Sequence, residues 1–156
     1  MSRAGYSDYD DDFTDLELGR WRGAVRSAMR GKRGQAFLRE ALEALDAMPD
    51  KRLIAGELVI DGIQSLIVGA DELCDMKGAA LPMGSCCLLG AVARYRKIDV
   101  SDLCPDDIKA VAPRFNLAEA MTRELVYEND EGGDHKETPE QRWIRMRSWV
   151  ASEIRG

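Results

Sequence analysis

The chain is 156 residues long, 45% hydrophobic and 32% charged, with a formal net charge of −6. That length suits one domain, with or without an arm, and the apolar share excludes wholesale disorder. The acidic balance argues against a protein that coats nucleic acid by bulk attraction, so any such contact has to be local.

The opening residues are polar and acidic and include no apolar stretch of the signal-peptide kind. The longest uncharged run, residues 78–93, contains Pro82, Gly84 and Gly90. It falls short of the roughly 18–20 residues that a spanning helix needs. We therefore expect no membrane partner and a cytoplasmic location. The cysteines Cys74, Cys86, Cys87 and Cys104 then read as reduced thiols.

In chain order, residues 1–16 form an acidic arm. Asp8, Asp10, Asp11 and Asp12 are mixed with Tyr6, Tyr9 and Phe13, and Asp15 and Glu17 follow. The arm reads either as a disordered tail or as a segment that folds onto a basic surface, its own or a partner's. Residues 17–156 read as a single helical domain. Leu18, Trp21, Val25 and Met29 make one stripe of a helix over 16–30. Arg22, Arg26 and Arg30 recur every four residues on a second face, with Arg33 just beyond. From 20 to 34 there are six positive charges and no negative one. Gly31 and Gly34 are expected to break this helix.

A second helix is expected over 35–48, with Phe37, Leu38, Ala41, Leu42 and Leu45 inward and Pro49 beyond its end. Leu53-Ile54, Leu58-Val59-Ile60, Asp61-Gly62 and Leu66-Ile67-Val68 predict a small hairpin turning at the Asp-Gly pair. Residues 69–84 read as a loop. A helix over 86–97 has an apolar start and a basic end, and Pro105 marks the first position of another that stops near Pro113. Asn116 is placed as the cap of a helix over 117–128. Residues 129–137 read as a solvated polar loop. Thr138-Pro139-Glu140-Gln141 is a capping box, and Trp143, Met146, Val150 and Ile154 follow at helical spacing. The fold class expected is mainly α: five or six helices, a small hairpin and the acidic arm.

Four sets of residues bear on function. The Arg22/Arg26/Arg30/Arg33 ridge offers forked donors suited to carboxylates or phosphates. The alternative is a solvated, salt-bridged face. Cys86 and Cys87, at a helix start after Gly84-Ser85, sit where a thiolate gains from the helix dipole. The only histidine, His135, lies in a polar loop. Four cysteines and one histidine without short paired spacing do not make a zinc site, and no cofactor is expected. Trp149 lies off the apolar stripe of its helix and is a candidate interface contact.

Several segments resemble a group of uncharacterised small phage and prophage accessory proteins of proteobacteria. They are Met1 to Tyr6, Arg30 to Leu38, Ala41 to Ile54, Cys87 to Val92, Tyr127 to Glu131 and Thr138 to Trp143. Two departures stand out. Ile63 to Ser85 intervenes where that group passes from the Asp-Gly turn almost directly to the Cys-bearing helix. Cys104 stands where an Asp cap is usual. The resemblance implies a non-enzymatic protein that binds and inhibits a host protein or nucleoprotein assembly, including antiviral defence in an anti-CRISPR-like role. The contact would be Asp8, Asp10, Asp11 and Asp12, which could imitate nucleic-acid phosphates, or the arginine ridge. The alternatives are a small nucleic-acid-binding regulator using that ridge, and a cysteine-dependent enzyme.

Overall fold

A computed structural model describes residues 15–60 and 84–156. Among these residues it is mainly helical, with six helices and no named strand. They are α1 (Asp15–Arg30), α2 (Lys32–Ala47), α3 (Leu88–Arg96), α4 (Ile108–Arg114), α5 (Glu119–Glu131) and α6 (Pro139–Glu153). The buried residues join into one apolar cluster, with Leu38, Leu45, Leu88, Val92, Leu125 and Met146 fully enclosed. Helix α2 packs against α1, α3 and α6, while α5 packs against α1, α3, α4 and α6.

Only one of the two expected breaks separates α1 from α2. Gly31 is the N-cap of α2 in extended backbone. Gly34 lies inside the helix, so the expected break there is corrected. The reason is close approach: a Cβ on Gly34 would stand 2.1 Å from Ala28 O and 2.9 Å from the Met29 Cα. Gln35 stitches the same junction. Its Nε2 donates to Met29 O (2.9 Å) and Glu153 O (3.0 Å), and its Oε1 accepts from Arg155 N (2.8 Å).

The expected hairpin is not shown among the described residues. Leu58-Val59-Ile60 runs antiparallel to residues 84–87, through Ile60 N to Ser85 O (2.8 Å), Gly84 N to Ile60 O (2.8 Å) and Cys87 N to Leu58 O (3.1 Å). The Asp61-Gly62 turn, Leu66-Ile67-Val68 and nearly all of the expected 69–84 loop lie outside the described residues. Gly90 permits this pairing, because a Cβ there would fall 1.8 Å from Leu58 O. With Cys86 bridged to Val59, α3 starts two residues later than expected.

Three further boundaries move for local reasons. Asp107, not the residue before Pro105, caps α4, its side chain accepting from Ala110 N at 3.3 Å. Asn116 does not cap α5. It adopts the left-handed conformation (φ 56°) and closes α4 instead, with Asn116 N to Pro113 O (3.1 Å) and Leu117 N to Ala112 O (2.9 Å). That is the paired-bond termination for which asparagine is suited. Helix α5 therefore starts at Glu119 and runs to Glu131. The capping box of α6 is present as read, with Thr138 N to Gln141 Oε1 (2.9 Å) and Gln141 N to Thr138 Oγ1 (3.2 Å).

The extension of α5 takes Asn129 out of the loop and into the interior. Its Oδ1 accepts from Leu88 N (3.1 Å), and its Nδ2 donates to Ile54 O (2.8 Å) and Asp130 Oδ1 (2.8 Å). Arg142 Nε donates to Asn129 O (2.9 Å), and Arg145 grips Glu137 at 2.6 and 3.0 Å. This network joins α3, α5, α6 and residues 53–54, and it satisfies groups whose burial alone would cost about 1–3 kcal/mol each.

Two outcomes test these features. Gly34→Ala should lower the urea midpoint with an unchanged slope, by about 1–3 kcal/mol of overpacking. If the close approach were absent, alanine's better helix propensity would raise stability by up to about 1 kcal/mol instead. Burial pushes the Asp130 carboxyl above its ordinary value of 3.8, opposed by hydrogen bonds from Asn129 and the Gly56 backbone. As pH rises from 3.8 through the raised value, the native state holds a proton that the unfolded chain has released, so this group's contribution to stability falls. Asp130→Asn should therefore match the wild type near pH 3 and exceed it at pH 7; a variant no more stable than the wild type at pH 7 contradicts this.

Candidate functional site: an arginine-lined helix face

Helix α1 forms because its acidic residues Asp15 and Glu17 occupy the first turn and Arg30 the last, both favourable to the helix dipole. Its apolar stripe docks as read. Val25 and Met29 are buried, and Leu18, Trp21 and Ala28 are half-buried. With that face turned to α2 and α5, the four-residue recurrence leaves Arg22, Arg26 and Arg30 on the solvent side, all three exposed. Along a helix the three recur about every 6 Å.

Their electrostatic setting differs from that of the arginines paired with acids elsewhere in the chain. Arg96 forms a bidentate pair with Glu40 at 2.7 Å on both arms, and its guanidinium lies 5.8 Å from the Phe37 ring and 5.9 Å from the Phe115 ring. Arg114 forks onto Asp102 at 3.0 and 2.8 Å, holding that carboxyl below its ordinary value. Arg147 likewise pairs with Asp46, and Arg52 with Glu140 at 3.0 Å. No described carboxylate pairs with Arg22, Arg26 or Arg30.

Sequence reasoning missed the ground beside this ridge. Gly19 and Gly23 also face outward, and a Cβ on either would meet nothing within 4 Å. The spacing of Gly19, Gly23 and Ser27 in step with the arginines is the signal that could have revealed it. A backbone can therefore approach α1 closely between guanidinium groups.

The other residues singled out from sequence scatter. Arg33 lies in the first turn of α2 and donates to Asn116 Oδ1 (3.1 Å), so it is tied to the α4–α5 corner. Trp149 is half-buried against the apolar cluster. Asp8, Asp10, Asp11 and Asp12 lie outside the described residues.

Cys86 and Cys87 are buried, and burial pushes both thiols above their ordinary value. Arg94 partly opposes this at Cys86, and Asp130 adds to it at Cys87. His135 is exposed beside Asp134, 3.1 Å away. Among the described residues no cluster of histidine, cysteine and carboxylates could hold a metal ion, and no helix is long and apolar enough to cross a membrane.

Compared with known families, curated proteins and solved structures, the chain matches none. Any functional reading therefore stands on residues and geometry. For the thiols the expectation is concrete. At pH 7.5 iodoacetamide should label exposed Cys104 readily and Cys86 and Cys87 slowly, since the thiolate is the reactive form. Rapid labelling of Cys86 or Cys87 would contradict this and favour the cysteine-enzyme alternative.

Proposed function

We propose that this chain is a non-enzymatic, phage-type accessory protein that docks on an acidic surface of a host protein assembly through Arg22, Arg26 and Arg30, and so blocks that assembly. One observation supports the reading above others. Three guanidinium groups stand in a row on an exposed helix face without a described carboxylate, in a molecule that clamps Arg52, Arg96, Arg114 and Arg147 to acids. A planar fork matches a carboxylate in two parallel hydrogen bonds, which gives geometric selectivity as well as attraction. The ridge would also steer encounter, with an on-rate that falls as salt is added.

A defence complex of the anti-CRISPR-target kind fits this description as one class of assembly. Phosphates would satisfy the same forks, which keeps the nucleic-acid regulator as the second reading. The net charge of −6 weighs against it.

The experiment is an affinity capture from host lysate, identification of the bound protein, and titration of the purified pair. Arg22→Glu/Arg26→Glu/Arg30→Glu alters exposed positions only; its main stability cost, about 1 kcal/mol, comes from placing an acid at the C-terminal end of α1 and like charges four residues apart. It should weaken binding at least about tenfold, most strongly at low salt. Unchanged affinity in the reversed variant eliminates the ridge as the contact. A low-salt gel shift with duplex DNA, lost in Arg26→Glu, would move the conclusion to the second reading.

A further inference from the structure

We infer that a recess between the end of α2 and α3 binds a small organic acid, an anion carried on an apolar body. The inference goes beyond the docking reading of α1, none of whose residues lines this recess.

Shape is the first argument. The recess has a volume of about 400 Å³, a size that suits a small ligand. Small side chains keep it open: Ala44 and Ala47 of α2 and Ala91 of α3. Met48 and Pro49 continue the apolar wall where α2 ends in extended backbone (Met48 φ −63°, ψ 128°). Tyr95, 44% exposed, adds an aromatic wall, and its hydroxyl donates to Glu43 at 3.0 Å.

Charge complementarity is the second. Arg94 and Lys97 line the recess and no acid does. No described carboxylate pairs with either of them. Arg94 Nη1 donates to Gly84 O (2.7 Å), and a guanidinium has donors to spare beyond that bond. Asp50 lines the narrower recess that adjoins at Met48 and Pro49, which limits an anion to the larger one.

The backbone at Lys97 is the third. Helix ends attract cations, but other residues already serve these two. Lys51 Nζ donates to Asp46 O (2.5 Å) at the end of α2, and Arg96 stands in the last turn of α3. Lys97 closes α3 in the left-handed conformation (φ 59°, ψ 41°), which glycine or asparagine adopts more readily. Backbone outliers of this kind collect at functional sites. Here the outlier places an exposed ammonium at the recess.

The test is titration of the full chain with naphthoate, an aromatic acid, followed by backbone amide resonances. Saturable shifts are expected at Ala44, Ala47, Ala91 and Lys97. Naphthylmethanol, of similar size but neutral, should bind about fivefold more weakly, the equivalent of an exposed ion pair. Lys97→Asn keeps the left-handed turn and should weaken naphthoate binding by about the same factor. Ala47→Leu, at an exposed lining position, should abolish saturation by filling the recess.

The absence of saturable shifts at these amides in millimolar naphthoate overturns the inference. Equal binding of naphthylmethanol does so too, as does undiminished binding by Lys97→Asn. Shifts confined to α1 would assign the anion to the arginine ridge instead. Tighter binding of a short peptide ending in a phenylalanine carboxylate would assign the recess to a protein C-terminus. Concentration-dependent shifts of the same amides without ligand would assign it to a second copy. Each of these three results overturns the inference as well. None of the readouts involves the host partner, so failure of the docking reading leaves them untouched.

Discussion

The outward aim of the arginines depends on one close approach. The first turn of α2 lies so near the last turn of α1 that position 34 has no room for a Cβ, which would stand 2.1 Å from Ala28 O. That contact sets the rotation of α1 about its axis. Val25 and Met29 then point into the shared core and contribute about 1.5–3 kcal/mol each by burial. Once they point inward, residues 22, 26 and 30 must point outward, because the helical period gives them no other direction. Gln35 secures the joint by bonding Met29 O at one end of α1 and Glu153 O and Arg155 N at the end of α6. The exposed charge is thus a consequence of packing on the opposite side of the same helix.

Interior polar groups do the corresponding work at the far end of the molecule. Asn129 bonds backbone atoms of Leu88 and Ile54, which are remote in sequence from it and from each other. Arg142 and Arg145 converge on Asn129 O and on Glu137. A fully bonded buried network of this kind narrows the arrangements a core can adopt, since each alternative leaves a donor or acceptor unpaired. The stretch 53–60, which has no helix or strand of its own, is held largely by these bonds and by its pairing with residues 84–87. Arg94 is tethered there too, donating to Gly84 O at 2.7 Å.

Much of the helical layout was legible because periodicity reports burial directly. The stripes of α1, α2 and α6 and the Thr138/Gln141 box follow from the spacing of apolar residues and from short-range hydrogen bonding. What was illegible depended on distant neighbours. Gly34 reads as a breaker until the backbone of α1 is placed against it. Asn116 offers a side chain suited to an N-cap, yet the left-handed turn that closes α4 claims its backbone, and Arg33 claims its Oδ1. Asn129 and Glu137 read as loop residues because nothing local announces that Leu88, Ile54 and Arg145 will surround them. Leu58 to Ile60 looked like half of a local hairpin, and its hydrogen-bond partners lie some 25 residues on. For the candidate site, the outward placement of Arg22, Arg26 and Arg30 was readable from four-residue spacing alone. Their contrast with the carboxylate-paired arginines needed three dimensions.

The central claim is that this molecule acts through the outer face of α1. The most direct measurement is the set of arginine Nε–Hε resonances, recorded before and after addition of the captured host protein. The account predicts shifts concentrated on Arg22, Arg26 and Arg30, with Arg96 and Arg114 unmoved because their carboxylate partners already hold them. Shifts clustered on α3 or α6, with the α1 arginines unchanged, would contradict it.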